Sequence, residues 1–355
     1  MKKKLLVCFG TRPDAIKLAP VILEAKKRKL EVVVLTTGQH QEMLVPFLEF
    51  FEIVPNHALS VLKPNQHLAD LTASILTEAS KIIRLEKPDL VFVQGDTTTT
   101  MASALAAFYE KISVAHVEAG LRTYDRYSPF PEEMNRKIVG QISEFHFSPT
   151  PDSKQNLEKE GVNKNVFVTG NTGIDAMRIA LSKLNLTPET NKSILVTCHR
   201  RENHGEPLLR ICAAIAELAQ KFSDYVIEFP VHLNPNVKTV VHENLKKFAN
   251  VRLKEPLGYL DFITQMSRAS VIITDSGGVQ EEAPYLKKPI FVLRESTERP
   301  EGVKAGVAEL VGSNQKKIVE RVSLALTDAD YRKKFEVAVN PYGDGFAAQR
   351  IFESL

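Results

Sequence analysis

Two neighbouring stretches concentrate residues that could move protons. The first is His116-Val117-Glu118-Ala119-Gly120-Leu121-Arg122-Thr123, and the second is Ser128-Pro129-Phe130-Pro131-Glu132-Glu133-Met134-Asn135-Arg136. With Asp125 and Arg126 between them, they set four carboxylates and three arginines into chain that otherwise reads as buried strand and helix start. A charge in such surroundings carries a desolvation cost, so it is paired or at work on a ligand. Asp96, at the end of the preceding apolar run, joins the group. Clustered carboxylates repel one another and can raise a pKa, which a general acid or base requires. Asp96, Glu118 and Glu132 are therefore the proton-transfer candidates. Pro131 opens a helix on which Glu132 and Arg136 share a face, so one guanidinium can orient one carboxylate. Glu133 and Lys137 read as a solvated ion pair. A structural salt-bridge network is the competing explanation for the whole group. His116 reads as a packed strand histidine; a metal-ligand role beside Asp96 and Glu118 has no other support.

Three further loops follow strand ends and open helices, the usual setting for anion binding. In Gly10-Thr11-Arg12-Pro13-Asp14-Ala15-Ile16-Lys17, Pro13 suits a first helical turn, and Arg12 and Lys17 could both face the loop. In Gln94-Gly95-Asp96-Thr97-Thr98-Thr99-Thr100, Asp96 or Thr97 is the cap. In Thr274-Asp275-Ser276-Gly277-Gly278-Val279-Gln280-Glu281-Glu282, the Ser-Gly-Gly turn lets backbone N–H groups approach an anion, and Glu281 or Glu282 suits a ribose hydroxyl. None is a Walker A loop or a Gly-x-Gly-x-x-Gly fingerprint, and plain tight turns are the alternative. Cys198-His199-Arg200-Arg201-Glu202-Asn203 also follows a strand; it binds an anion or forms an interdomain salt-bridge network. Arg294, Glu295, Thr297, Glu298 and Arg299 repeat that logic, while His232 is as readily structural as functional. The absence of Gly-x-Ser-x-Gly, His-Glu-x-x-His and Cys-x-x-Cys disfavours a serine hydrolase, a zinc enzyme and a disulfide oxidoreductase.

The elements that must position these residues alternate along the chain. Strands are expected at 4–9, 31–36, 89–94, 112–117, 144–147 and 166–169, then at 193–197, 225–230, 250–253, 270–274, 289–293 and 308–311. Most are short β-branched runs without polar alternation, the mark of parallel strands buried on both faces. Amphipathic helices fall between them, for example at 14–28, 68–86, 98–110, 132–142, 206–221 and 278–286. The alternation means an α/β, doubly wound chain. Two Rossmann-like sheets of about six strands fit better than one of twelve. The break falls near Gly170-Asn171-Thr172, giving domains 1–172 and 173–343 whose facing sheets make a cleft.

At 355 residues the chain accommodates two such domains. No run approaches the roughly 18 apolar residues of a membrane span. Its first residues, through Gly10, read as a first strand rather than a signal peptide, so a cytoplasmic location is expected. A formal charge of +3 from 46 basic and 43 acidic residues is too balanced for a nucleic-acid surface. Lys26-Lys27-Arg28-Lys29 is a solvated helix end. Cys8, Cys198 and Cys212 lack metal-ligand spacing and read as reduced structural thiols.

Taken together, the motifs resemble the non-hydrolysing UDP-N-acetylglucosamine 2-epimerases of bacteria. The match runs nearly end to end. It begins with Gly10-Thr11-Arg12-Pro13, Thr37-Gly38-Gln39-His40, Gly95-Asp96-Thr97-Thr98 and the two stretches above. It continues through Gly170-Asn171-Thr172, His199-Arg200-Arg201-Glu202-Asn203 and Pro230-Val231-His232-Leu233-Asn234-Pro235-Asn236 to Asp275-Ser276-Gly277-Gly278, Glu281-Glu282 and Thr297-Glu298-Arg299-Pro300. The resemblance implies a glycosyltransferase-B-like fold, with a C-terminal helix around 344–355 joining the first domain. It implies a homodimer that interconverts UDP-GlcNAc and UDP-ManNAc without NAD or a metal. On matching positions, Asp96, Glu118 and Glu132 become the acid/base carboxylates, supported by Arg136 and His199. Arg12, Lys17, His199, Ser276, Gly277, Gly278, Glu282 and Arg299 become UDP ligands, with Glu282 on the ribose. A second UDP-GlcNAc as activator would involve Gln39, Glu42 and Arg200. The alternatives are an epimerase of a related UDP-2-acetamido sugar, a hydrolysing relative, a UDP-sugar-dependent glycosyltransferase of the same fold, and a non-catalytic UDP-sugar sensor.

Overall fold

Each of the twelve expected apolar runs forms a strand, with ends displaced by no more than a residue. The structure, a computed structural model, describes all residues except 1–2, 39–40, 63–65 and 188–190, and the side chains of 41–43 also lie outside the description. Gln39 and the Glu42 side chain, expected at an activator site, are thus outside the described residues. The chain divides into two units. Unit 1 comprises Met1–Ala176 and Tyr342–Leu355, and unit 2 comprises Met177–Pro341.

In unit 1 the strands are β1 (Lys4–Phe9), β2 (Glu31–Thr36), β3 (His57–Ala58), β4 (Leu90–Gln94), β5 (Ser113–Val117), β6 (Phe145–Ser148) and β7 (Val166–Val168). They form one parallel sheet in the order β3-β2-β1-β4-β5-β6-β7. The edge strand β3 has no apolar run to announce it: two residues pair with Leu35 and Thr36 at the end of β2. In unit 2, β8 (Ser193–Thr197), β9 (Val226–Pro230), β10 (Val251–Lys254), β11 (Val271–Thr274), β12 (Ile290–Val292) and β13 (Glu309–Leu310) run parallel in the order β10-β9-β8-β11-β12-β13. Both orders reverse direction once, between β1 and β4 and between β8 and β11. Such topological switch points open crevices at the carboxyl ends of the strands, where α/β folds bind ligands. The exits of those four strands carry Arg12, Asp96, His199 and Ser276, so the winding decides where the chemistry sits.

Local signals start the helices at those exits. Thr11 and Asp14 form a reciprocal capping box at the head of the helix Arg12–Lys27, with Pro13 in its first turn. The Thr97 hydroxyl accepts from the Thr100 amide and caps Thr98–Tyr109. The chain returns to unit 1 through the helix Ala347–Glu353. Its first amides, from Ala347 and Ala348, donate to the buried Asp175 carboxylate at 3.1 and 2.8 Å. Phe352 of that helix packs on Phe92 of β4, and the Arg28 guanidinium lies over its ring. Cys8, Cys198 and Cys212 are buried free thiols within the cores.

Gly120, two residues beyond Glu118, has a φ of +93°. A Cβ there would stand 2.1 Å from the Ser153 carbonyl oxygen and 3.1 Å from Leu157 Cγ. Neither the left-handed backbone nor the backbone neighbour can yield, so Gly120→Ala is expected to destabilise unit 1 by on the order of 3 kcal/mol or more. Urea unfolding measures this; a loss below about 1 kcal/mol would contradict the close approach.

Candidate active site

The unit 1 carboxylates gather where β4 and β5 end side by side. Gly95 continues β4 by donating its amide to the Val117 carbonyl, which brings Asp96 and Glu118 to neighbouring exits. Glu118 has a φ of +65°, a left-handed conformation that costs a non-glycine residue about 1–3 kcal/mol. It turns the side chain toward the first loop, where Glu118 Oε2 is ion-paired with Lys17 Nζ and accepts from Asn171 Nδ2 at 3.4 Å. Lys17, expected on a phosphate, thus stands on the acid/base candidate. Asp96 Oδ2 accepts from Arg136 Nε and Nη2 at 2.9 and 2.7 Å, and its backbone carbonyl accepts from Asn135 Nδ2 at 2.8 Å. These contacts fix the start of the helix Glu132–Ile142 against the β4 exit. Glu132 opens that helix, and its buried Oε2 has no hydrogen-bond partner among the described residues. A buried carboxylate oxygen without a donor is open to a proton or to a ligand.

Two expected pairings do not form. Arg136 holds Asp96 and, through Nη1 at 3.0 Å, Glu133, rather than orienting Glu132. Glu133 is fully buried and also accepts the amides of Thr123 and Tyr124 at 3.0 and 3.1 Å, so it is no solvated partner of Lys137. The reason is tertiary: unsatisfied loop amides draw Glu133 inward, and hydrogen bonds to a buried charge outweigh an exposed i,i+4 pair. Lys137 lies 3.9 Å from Glu160 instead. Glu160 also takes a bidentate bond from the fully buried Arg122, at 2.9 Å from Nε and 2.6 Å from Nη2. Arg122 is thereby structural.

His116 is a packed strand histidine. Its Nε2 donates to the Gly95 carbonyl at 2.8 Å, and burial pulls its pKa down to about 3. His146, opposite it in the β5–β6 register, is lowered to about 4 for the same reason. Both rings are therefore neutral at neutral pH. Among the described residues no group of three or more His, Cys, Asp or Glu is placed to hold a metal ion.

At the switch point of unit 2, Asp275 organises the loop after β8. The carboxylate is fully buried; its Oδ2 accepts the amides of His199 and Arg200, both at 2.9 Å, and Asn203 Nδ2 at 3.0 Å. Its Oδ1 lies 3.0 Å from His199 Nδ1. Burial alone would raise this pKa, but His199 and the converging donors outweigh it and hold Asp275 at about 2. The half-exposed His199 ring thus sets its Nδ1 edge against the carboxylate. His232 stacks 6.1 Å from it.

Ser276, Gly277 and Gly278 follow β11, and a Cβ on Gly278 would meet nothing within 4 Å. The Arg299 guanidinium packs against Gly277, where a Cβ would stand 2.9 Å from its Cζ. Arg299 is held by Glu281 at 2.8 Å and Glu298 at 2.9 Å. Glu298 pairs also with Arg294 and with Arg200, the latter at 2.8 Å. Burial opposes ionisation, but these arginines hold Glu298 down at about 2. Glu282 ends the short helix Gly277–Glu282, and its charge adds to burial in pushing the Tyr259 hydroxyl well above its ordinary range.

The structure therefore brings Asp96, Glu118 and Glu132 to one end of the unit 1 sheet beside Arg12 and Lys17. In unit 2 it brings His199, Ser276, Gly277, Gly278, Glu282 and Arg299 to one switch point. Asp14 and Asp275 are organising residues that the sequence reading passed over. The capping-box spacing of Thr11 and Asp14 is the one local signal for either.

The family model described as UDP-N-acetylglucosamine 2-epimerase matches residues 23–355. The UDP-N-acetylglucosamine 2-epimerase of Bacillus subtilis is 47% identical, covering 100% of this chain and 96% of its own. The crystal structure of the Neisseria meningitidis UDP-GlcNAc 2-epimerase bound to UDP-GlcNAc is 46% identical with a TM-score of 0.89, covering 99% of both chains. The glycosyltransferase SnogD from Streptomyces nogalater aligns over 100% of both chains with a TM-score of 0.57 at 15% identity, which shows a shared fold of the glycosyltransferase-B kind and nothing more.

Proposed function

Because the chain belongs to the UDP-N-acetylglucosamine 2-epimerase family, we propose that it interconverts UDP-GlcNAc and UDP-ManNAc by eliminating UDP and adding it back. The C2 proton of the sugar has no adjacent carbonyl, so its direct removal would leave an unstabilised carbanion. Expelling UDP from C1 avoids this: the C2–H electron pair becomes the C1–C2 double bond, and the C1–O pair leaves with the diphosphate. The product is 2-acetamidoglucal. A proton delivered to the other face of C2 and return of the diphosphate oxygen to C1 give the epimer.

The observation that carries this reading is the placement of Asp96, Glu118 and Glu132 at adjoining strand and helix ends, each held differently. Glu118 is paired with Lys17 and Asp96 with Arg136, while Glu132 keeps a buried oxygen open. Such unlike settings suit one group to take a proton and another to give one. Residues 1–172 with 344–355 would supply this acid/base chemistry and 173–343 the nucleotide grip. His199, Ser276, Gly277, Gly278 and Arg299, with Arg12, would support the leaving diphosphate, and Glu282 would take the ribose. A homodimer, a cytoplasmic location and a second UDP-GlcNAc acting as activator near Arg200 belong to the same proposal. Among the described residues no helix is long and apolar enough to cross a membrane.

Incubation with UDP-GlcNAc alone tests the assignment by proton NMR of the products. UDP-ManNAc without free sugar is expected. Free ManNAc with UDP would replace the reading by hydrolysis, and an unchanged sugar would sink both.

A further inference from the structure

The buried carboxylate of Asp14 ties two ligand loops of unit 1 together. It is 2% exposed. Its Oδ2 accepts from the Gly10 amide at 3.3 Å, the Thr11 amide at 3.1 Å and the Thr97 hydroxyl at 3.2 Å, and its Oδ1 accepts from the Thr11 hydroxyl at 2.7 Å. Gly10 and Thr11 directly precede Arg12. Thr97 follows Asp96 directly and caps the helix Thr98–Tyr109. A capping box needs only its own turn; the bond to Thr97 spans the β1 and β4 exits, on either side of the switch point.

We infer that Asp14 and Thr97 are positioning residues for the epimerisation, holding Asp96 in register with the Arg12 loop through one hydrogen bond across the switch point. The inference rests on the function proposed above. Misplacing a reacting group by even an ångström can cost about a hundredfold in rate, so a bond that sets the Asp96 loop should act on turnover more than on binding.

The link is also sensitive to pH. Burial, with Asp96 as the charged neighbour across the loop, pushes Asp14 up to about 6 against the opposing bonds from Thr11 and Gly10. Gly10, Thr11 and Thr97 are uncharged; on its own helix stand Arg12 and Lys17, the latter paired with Glu118. Above that pKa the carboxylate accepts from every donor around it. Below it, the added proton must itself be donated and one incoming bond is lost. Turnover should therefore fall on the acid side as Asp14 protonates.

The test compares Thr97→Val, Thr97→Ser and Asp14→Asn in the full chain with UDP-GlcNAc. Thr97→Val, which removes the hydroxyl at constant shape, is expected to lower kcat about tenfold with KM little changed. Thr97→Ser should restore most of the loss, and Asp14→Asn should abolish the acid limb near pH 6. Amide hydrogen exchange at 96–98, faster in Thr97→Val than in the parent, reports the same link without relying on activity. Wild-type kcat in Thr97→Val, or unchanged exchange at those amides, would overturn the inference. A parent protein that does not epimerise UDP-GlcNAc would instead remove the proposed function, and the exchange data would still decide the link.

Discussion

Replacing Glu118 by glutamine is expected to lower turnover by roughly a thousandfold while UDP still binds with near-normal affinity. Glutamine keeps the length and one acceptor oxygen, so Asn171 Nδ2 and Lys17 Nζ retain something to donate to. What disappears is the capacity to hold a proton. The left-handed backbone at Glu118 points to the same role, because a conformation this costly is retained where it aims a working side chain. Steady-state kcat together with calorimetric UDP binding separates the outcomes. Near-normal turnover would remove Glu118 from proton transfer; lost UDP binding would make it a ligand instead.

The second large effect is expected at Asp275→Asn. The carboxylate closes the loop after β8 and fixes the His199 ring, and its partners were built around a negative charge. Taking the charge from a buried carboxylate that accepts three hydrogen bonds costs about 2–3 kcal/mol of stability. Losing the orientation of His199, proposed above to support the leaving diphosphate, should lower kcat by about a hundredfold more than melting alone explains. The pH dependence follows from the sign of the shift. Asp275 is held at about 2, below the ordinary aspartate range, so its contribution is full above about pH 4 and fades as pH falls toward 2. The parent should lose about 2 kcal/mol across that window through this group, and Asp275→Asn should not. Denaturant unfolding at pH 2–7 measures the difference; equal acid sensitivity of the two proteins would contradict the assignment.

The strands were legible because parallel strands buried on both faces must be short apolar runs, and that pattern survives in any tertiary context. The edge strand His57–Ala58 was not, since two residues borrowing the pairing edge of β2 carry no pattern of their own. Charge positions were legible and charge partners were not. Helical spacing pairs Glu132 with Arg136 and Glu133 with Lys137, yet Arg136 turns to Asp96, 40 residues away, and Glu133 to the loop amides at Thr123 and Tyr124. Asp275 is visible in its loop, but its donors lie 72 to 76 residues upstream. Asp14 announces its capping box through Thr11, whereas its bond to Thr97 crosses 83 residues. Local periodicity reports which face a residue is on; it cannot report which distant loop the fold brings against that face.

In the proposed mechanism the carboxylates of unit 1 remove and return the C2 proton of a UDP-sugar while its C1–O bond is broken. Incubating the protein with UDP-GlcNAc in heavy water and reading C2 by NMR tests it directly. Deuterium at C2 of both UDP-ManNAc and recovered UDP-GlcNAc, in the parent and not in Glu118→Gln, is the predicted result. UDP-ManNAc that retains protium at C2 would contradict that mechanism.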